Sequence, residues 1–263
     1  MKMKKQSKIL LILLIVANNF ALGTAGQCAE ISTSQKNKPI SIGLENESLR
    51  PTYDLALAKE QALKYPDNPE AHFILGVAYT RISDIENAFK EMHQARKLAA
   101  KEGGLSYFDK VICEYENMLT LNPGNNAVRY TIAWAFYMKG YILRQNQAKP
   151  NAKTGDKWEK KMALESSDPN YYFQKSQEKL NELVNYDPSD ICSKIYNIYL
   201  QAVINGNLDT ALHSWDEISK LYPNNPAAYF FLGEIYLKKG NIKLSLQNIS
   251  RAVALRKNNT KND

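Results

Sequence analysis

The chain is poor in the residues that build covalent or catalytic frameworks. It holds three cysteines, Cys28, Cys113 and Cys192, and three histidines, His72, His93 and His213, in 263 residues. Three scattered cysteines exclude a disulfide scaffold, and Cys113 and Cys192 fall in helical patterns that predict small buried apolar residues. No two histidines have the i, i+4 spacing around a Glu that a zinc-protease helix needs. There is no G-x-S-x-G elbow, no phosphate-binding P-loop and no dinucleotide fingerprint. Gly103 and Gly104 read as a helix stop, not as a phosphate cradle. The sequence therefore predicts no catalytic residue, no metal site and no cofactor.

Long apolar runs are also scarce. The exception is Ile9 to Ala17, preceded by Lys2, Lys4, Lys5 and Lys8 and followed by the small residues Ala21, Gly23, Ala25 and Gly26. A basic start, a short apolar centre and a small-residue exit describe a secretory signal, expected over residues 1–25 with the cut after Ala25. The alternative is an uncleaved anchor, although a span needs about 20 apolar residues. Cys28 would carry lipid only as the end of a lipobox, and Gln27 stands where such boxes have a small residue. Export to a periplasm or to the medium is the expectation. Membrane contact is expected only if the N-terminal segment is retained or Cys28 is lipidated.

Excess charge is lacking as well. The formal balance is +7, but residues 1–25 carry four lysines and no acid, so the chain after them carries +3. That gives no footprint for nucleic acid. With 44% hydrophobic and 23% charged residues, the chain has the material for a sizeable core and is not read as disordered.

What the sequence does have is a repeat. The stretches beginning at Pro69 and Pro226 align on Gly76 and Gly233. They then match at Leu75/Leu232, Tyr79/Tyr236, Met92/Ile249 and Ala95/Ala252, and each follows a turn opened by Pro66 or Pro223. His72 and Tyr229 take an aromatic place, and Ala88 a small one that Ser245 holds in the second copy. A third copy runs through Ile195, Ile198, Ala202, Ala211, Trp215, Ile218 and Pro223, with Tyr199 in place of the glycine. A fourth has Ile132, Ala133, Phe136 and Gly140 in one helix and Ser176, Leu180, Leu183 and Pro188 in the next. Each unit is a helix pair whose glycine or alanine admits the partner helix and whose closing proline ends it. Tyr53 to Pro66 fits a lone second helix. Phe108, Val111, Ile112, Tyr115, Met118 and Leu119 form one amphipathic helix that breaks the phase.

This pattern resembles the tetratricopeptide repeat. The resemblance implies an all-α fold of about ten helices, a right-handed superhelical stack of antiparallel pairs over residues 51–257. A polar linker, 26–50, precedes it and a polar tail, 258–263, follows. In such repeats the first helix of each pair lines a concave face through its fifth and ninth positions. Here these are Phe73 and Val77, Tyr130 and Trp134, Tyr196 and Leu200, Phe230 and Glu234, with Tyr137 one turn beyond Trp134. Lys and Asn, which form the carboxylate clamp of chaperone-docking relatives, occupy none of the eight places. The expected partner is therefore a protein or peptide offering a hydrophobic segment, unless these aromatics pack on each other instead. Residues 145–169 interrupt the fourth copy as an insertion with five lysines around Trp158, read as a solvated loop or a partner contact. The functional expectation is an exported interaction scaffold of a bacterial envelope complex. The alternatives are an accessory subunit of a separately encoded enzyme, or an enzyme with a helical-repeat body.

Overall fold

The structure is a computed structural model that describes residues 49–148, 168–205 and 207–259. The expected signal, Cys28, most of the linker and Trp158 with the body of the insertion lie outside these residues. Ten α-helices run in sequence: α1 (Leu55–Lys64), α2 (Pro69–Arg81), α3 (Ile85–Ala99), α4 (Leu105–Leu121), α5 (Asn126–Ala148), α6 (Pro169–Tyr186), α7 (Ile191–Asn205), α8 (Leu208–Leu221), α9 (Pro226–Lys238) and α10 (Ile242–Asn259). No strand occurs among the described residues.

The helix starts follow local chemistry. Pro69, Pro169 and Pro226 sit in the first turn, where a missing N–H costs nothing. The side chains of Asn68, Asp168 and Asn225 just before them accept backbone N–H bonds that the helix leaves unpaired. Gly103 and Gly104, both with positive φ, turn the chain from α3 into α4.

Consecutive helices pair as α2–α3, α5–α6, α7–α8 and α9–α10. Three pairs share one device. A Cβ on Gly76 would lie 2.8 Å from Met92 Cγ, one on Gly233 2.7 Å from Ile249 Cδ1, and one on Gly140 2.9 Å from the Pro169 carbonyl oxygen and from Phe173 Cε1. The glycines let two helix backbones approach closely. Where Tyr199 replaces the glycine, α7 and α8 pack much less closely than the other pairs. The first helices α2 and α9 are buried on nearly all faces, as expected of elements enclosed in a stack.

The odd helices have defined places. α1 packs on α2, around a small satellite core of Ala58, Ala62, Ala71, Ile74, Leu75 and Ala78. α4 lays Phe108 edge-on against Phe73 of α2, at 5.8 Å between ring centroids, and its Tyr115 hydroxyl donates to Glu70 at 2.5 Å. The same helix packs along α5, so it wedges between the first and second pairs. Two expectations need correction. Cys113 is exposed on α4 rather than buried. The α5 helix continues to Ala148, so the first residues expected in the insertion are helical.

A methyl group at Gly140 meets a backbone oxygen, which cannot move aside as a side chain can. Gly140→Ala is expected to lower stability by about 1–3 kcal/mol despite alanine's better helix propensity. Urea unfolding followed by circular dichroism measures it.

Candidate functional site

The nine residues expected to line the concave face do come together, one row from four successive first helices. They form a filled wall rather than an open groove. Phe73, Val77, Tyr130, Trp134, Tyr137, Tyr196, Leu200, Phe230 and Glu234 are all buried, none more than 9% exposed. The reason is aromatic mass. Trp134 meets Tyr196 at 4.8 Å, Tyr137 at 5.3 Å and Tyr130 at 6.3 Å between ring centroids, all edge-on. Edge-to-face contacts at such spacing are favourable beyond the area they bury. Four residues outside the expected row complete the wall. Tyr199 and Phe231 lie 4.6 Å apart, Trp215 stacks on Phe231 at 4.7 Å, and Phe89 of α3 reaches Phe230 at 6.4 Å. The spaces left between Trp134, Tyr137, Tyr196 and their neighbours are no larger than a water molecule and have almost wholly apolar walls.

Buried phenols need partners, and the wall supplies them. Thr80 Oγ1 donates to the Val77 carbonyl at 2.6 Å, so the Tyr130 hydroxyl donates to Thr80 Oγ1 at 2.9 Å. Tyr196 donates to the Thr80 carbonyl at 3.2 Å, and the Tyr137 and Tyr199 hydroxyls pair at 2.9 Å. Helices α2, α5 and α7 are thereby tied at one point. Burial pushes the hydroxyls of Tyr130, Tyr137, Tyr196 and Tyr199 well above the usual range, so all four remain neutral donors or acceptors at any physiological pH.

Two ionisable groups stand out against this apolar setting. Arg81 ends α2 with its guanidinium 4.2 Å from the Tyr53 ring and 5.0 Å from Tyr130. Its Nη1 donates to both carboxylate oxygens of Asp190 at 2.8 Å, and Asp190 itself caps α7 through the Ser193 amide and hydroxyl. Cys192 donates its thiol to the Arg81 carbonyl at 3.1 Å. Arg81 therefore links the first repeat to the third across the inner face. Its register, the last residue of a helix, carries no sign of this role in the repeat pattern.

Glu234 is the other. Its Oε1 has no hydrogen-bond partner among the described residues. Burial pushes its pKa from the usual 4.5 up to about 7, opposed only in part by Lys238 one turn further on. Among the described residues no group of three His, Cys, Asp or Glu is placed to hold a metal ion. No described helix is long and apolar enough to cross a membrane.

The geometry defines a class: a stack of helix pairs held at shared glycine contacts, with its inner side chains sealed inward. A tetratricopeptide repeat family model matches residues 202–260, from the end of α7 through α10. The matched segment is a tetratricopeptide repeat, a protein-interaction module. No curated protein matches the chain.

Two substitutions test the wall. Arg81→Met strands Asp190 in a largely buried place and is expected to cost about 2–3 kcal/mol, read by urea unfolding. Glu234 holds a proton in the folded chain, between pH 4.5 and about 7, that the unfolded chain releases. Stability therefore falls as pH rises through that window and is level above it. Glu234→Gln removes the fall. The variant is expected to exceed the parent by about 2–3 kcal/mol at pH 8 and to match it near pH 4.5.

Proposed function

We propose that the chain is an exported scaffold that holds a protein partner in a bacterial envelope complex, taking an apolar segment of that partner against its inner wall. The coarse role, a protein-interaction scaffold, follows from the repeats. The observation that supports the finer reading is the wall itself. Four first helices devote most of their inward positions to Tyr, Trp and Phe, side chains enriched at interfaces. A partner gains that surface only when the repeats part, because the closed wall leaves no room for a peptide. The basic, apolar and small-residue order of residues 1–25 supports export.

Phe89 is half-buried at the rim of the wall, whereas Leu121, the last residue of α4, is 88% exposed on an outer edge. A photo-crosslinking benzoylphenylalanine placed at position 89 is expected to capture one envelope protein, and the same group at position 121 to capture none. Capture from position 121 alone moves the partner to the outer edge and ends the wall reading. Capture from neither position ends the scaffold reading. If the captured protein is an enzyme whose turnover changes on binding, the accessory-subunit alternative replaces the structural one. N-terminal sequencing of the exported protein is expected to start at Gly26; a chain that begins at Met1 means an anchor.

A further inference from the structure

In an open solenoid each repeat touches only its neighbours. Here the last repeat also touches the first. Arg256 of α10 reaches the start of α3, where its Nη1 donates to Asp84 Oδ1 at 3.2 Å and to Glu86 Oε2 at 2.7 Å, across more than 170 positions of sequence to Asp84. Beside it, Phe230 of α9 meets the Phe89 ring. Phe231, its neighbour, faces Ile85, Ala88, Phe89 and Met92 of α3 across a small apolar void that Trp134 and Tyr196 close from the other side.

The seam has two properties that suit separation. Its polar half reaches solvent on one side: Glu86 is 51% and Arg256 26% exposed at the side chain, whereas Asp84 is 6%, so salt screens the Arg256–Glu86 attraction. Its apolar half holds the tilted Phe89–Phe230 ring pair beside a small void lined by Ile85, Ala88, Met92 and Phe231, and atoms facing a void lose contact energy. Its chemistry is also specific. The face of α3 offers two carboxylates beside an apolar trough, and what covers it is two phenylalanines and an arginine.

We propose that this seam is an intramolecular latch, in which the last repeat occupies the face of the first repeat that a partner segment bearing an aromatic and a basic side chain displaces. The latch rests on the scaffold reading for its purpose, but its opening is measurable with no partner present. Asp84 is spared in the test because it also caps α3 through the Asn87 amide.

Amide hydrogen exchange by mass spectrometry on the full chain compares the parent, Arg256→Glu, and Arg256→Glu combined with Glu86→Arg. In Arg256→Glu, exchange in α3 and α10 is expected to speed up about fivefold to tenfold, with α5 and α6 unchanged. The double exchange of charge brings the rates back part of the way, because Asp84 still faces position 256. High salt on the parent chain, which needs no substitution, produces the same local pattern more weakly. Unchanged rates in α3 and α10 under both treatments overturn the latch. So does acceleration spread evenly over all ten helices, which marks general loss of stability instead of local opening. Capture by the crosslinker at position 89 is expected to rise in Arg256→Glu, and a fall in that yield overturns displacement by the partner. Absence of any captured protein, with local opening still seen, removes the scaffold reading and leaves the latch standing.

Discussion

The structure depends on one row of aromatic side chains that finds its own surface. Helix pairs in a repeat array have an outer face that meets water and an inner face that curvature turns towards itself. When the inner positions are small or polar, the face stays open. When they are Tyr130, Trp134, Tyr137, Tyr196, Tyr199, Phe230 and Phe231, the rings come within contact distance of one another and the array closes. The hydrophobic effect favours that closure without direction. The hydroxyl pairs Tyr130–Thr80 and Tyr137–Tyr199 give it direction, because each phenol must find its partner once water is gone.

Under the function proposed above, a wall kept in the interior meets a partner only after parts of the fold separate. The polar groups placed along the wall bear on that separation. Arg81 and Asp190 hold the first and third repeats together through a charge-assisted bond in a largely buried place. Glu234 works the other way: a buried carboxyl with an unsatisfied oxygen weakens the closed form wherever it is ionised. Arg256, nearer to water, binds the two ends of the array.

Much of the helix pairing was legible in the sequence because it rests on local steric rules. Gly76 and Gly233 could be placed at helix crossings from the spacing of the repeat, whereas Gly140, seven residues beyond the place that Ala133 holds, could not; a methyl group does not fit at any of the three. The prolines after α1, α4, α6 and α8 marked the ends of those helices. The nine inward residues were also legible as a set sharing one side. Whether that side is open was not, since it depends on the rotation accumulated between repeats. Two irregularities accompany the closed wall. The extra helix α4 wedges against α2 and α5, and Tyr199, in place of a glycine, adds its ring to the wall against Phe231 while α7 and α8 pack less closely than the other pairs. Cys113 was misjudged because a small side chain in an amphipathic helix has no strong facing preference of its own; it falls on the solvent side of α4. Arg81 left no trace because its partners, Tyr53, Tyr130 and Asp190, are distant in sequence.

The most direct measurement of the closed wall uses its tryptophans. With Trp158 changed to Phe, emission comes from Trp134 and Trp215, both buried in the wall. The closed array predicts blue-shifted emission that acrylamide hardly quenches. Red-shifted emission, quenched as freely as a small indole in water, would mean that the inner face is an open groove and would contradict the account.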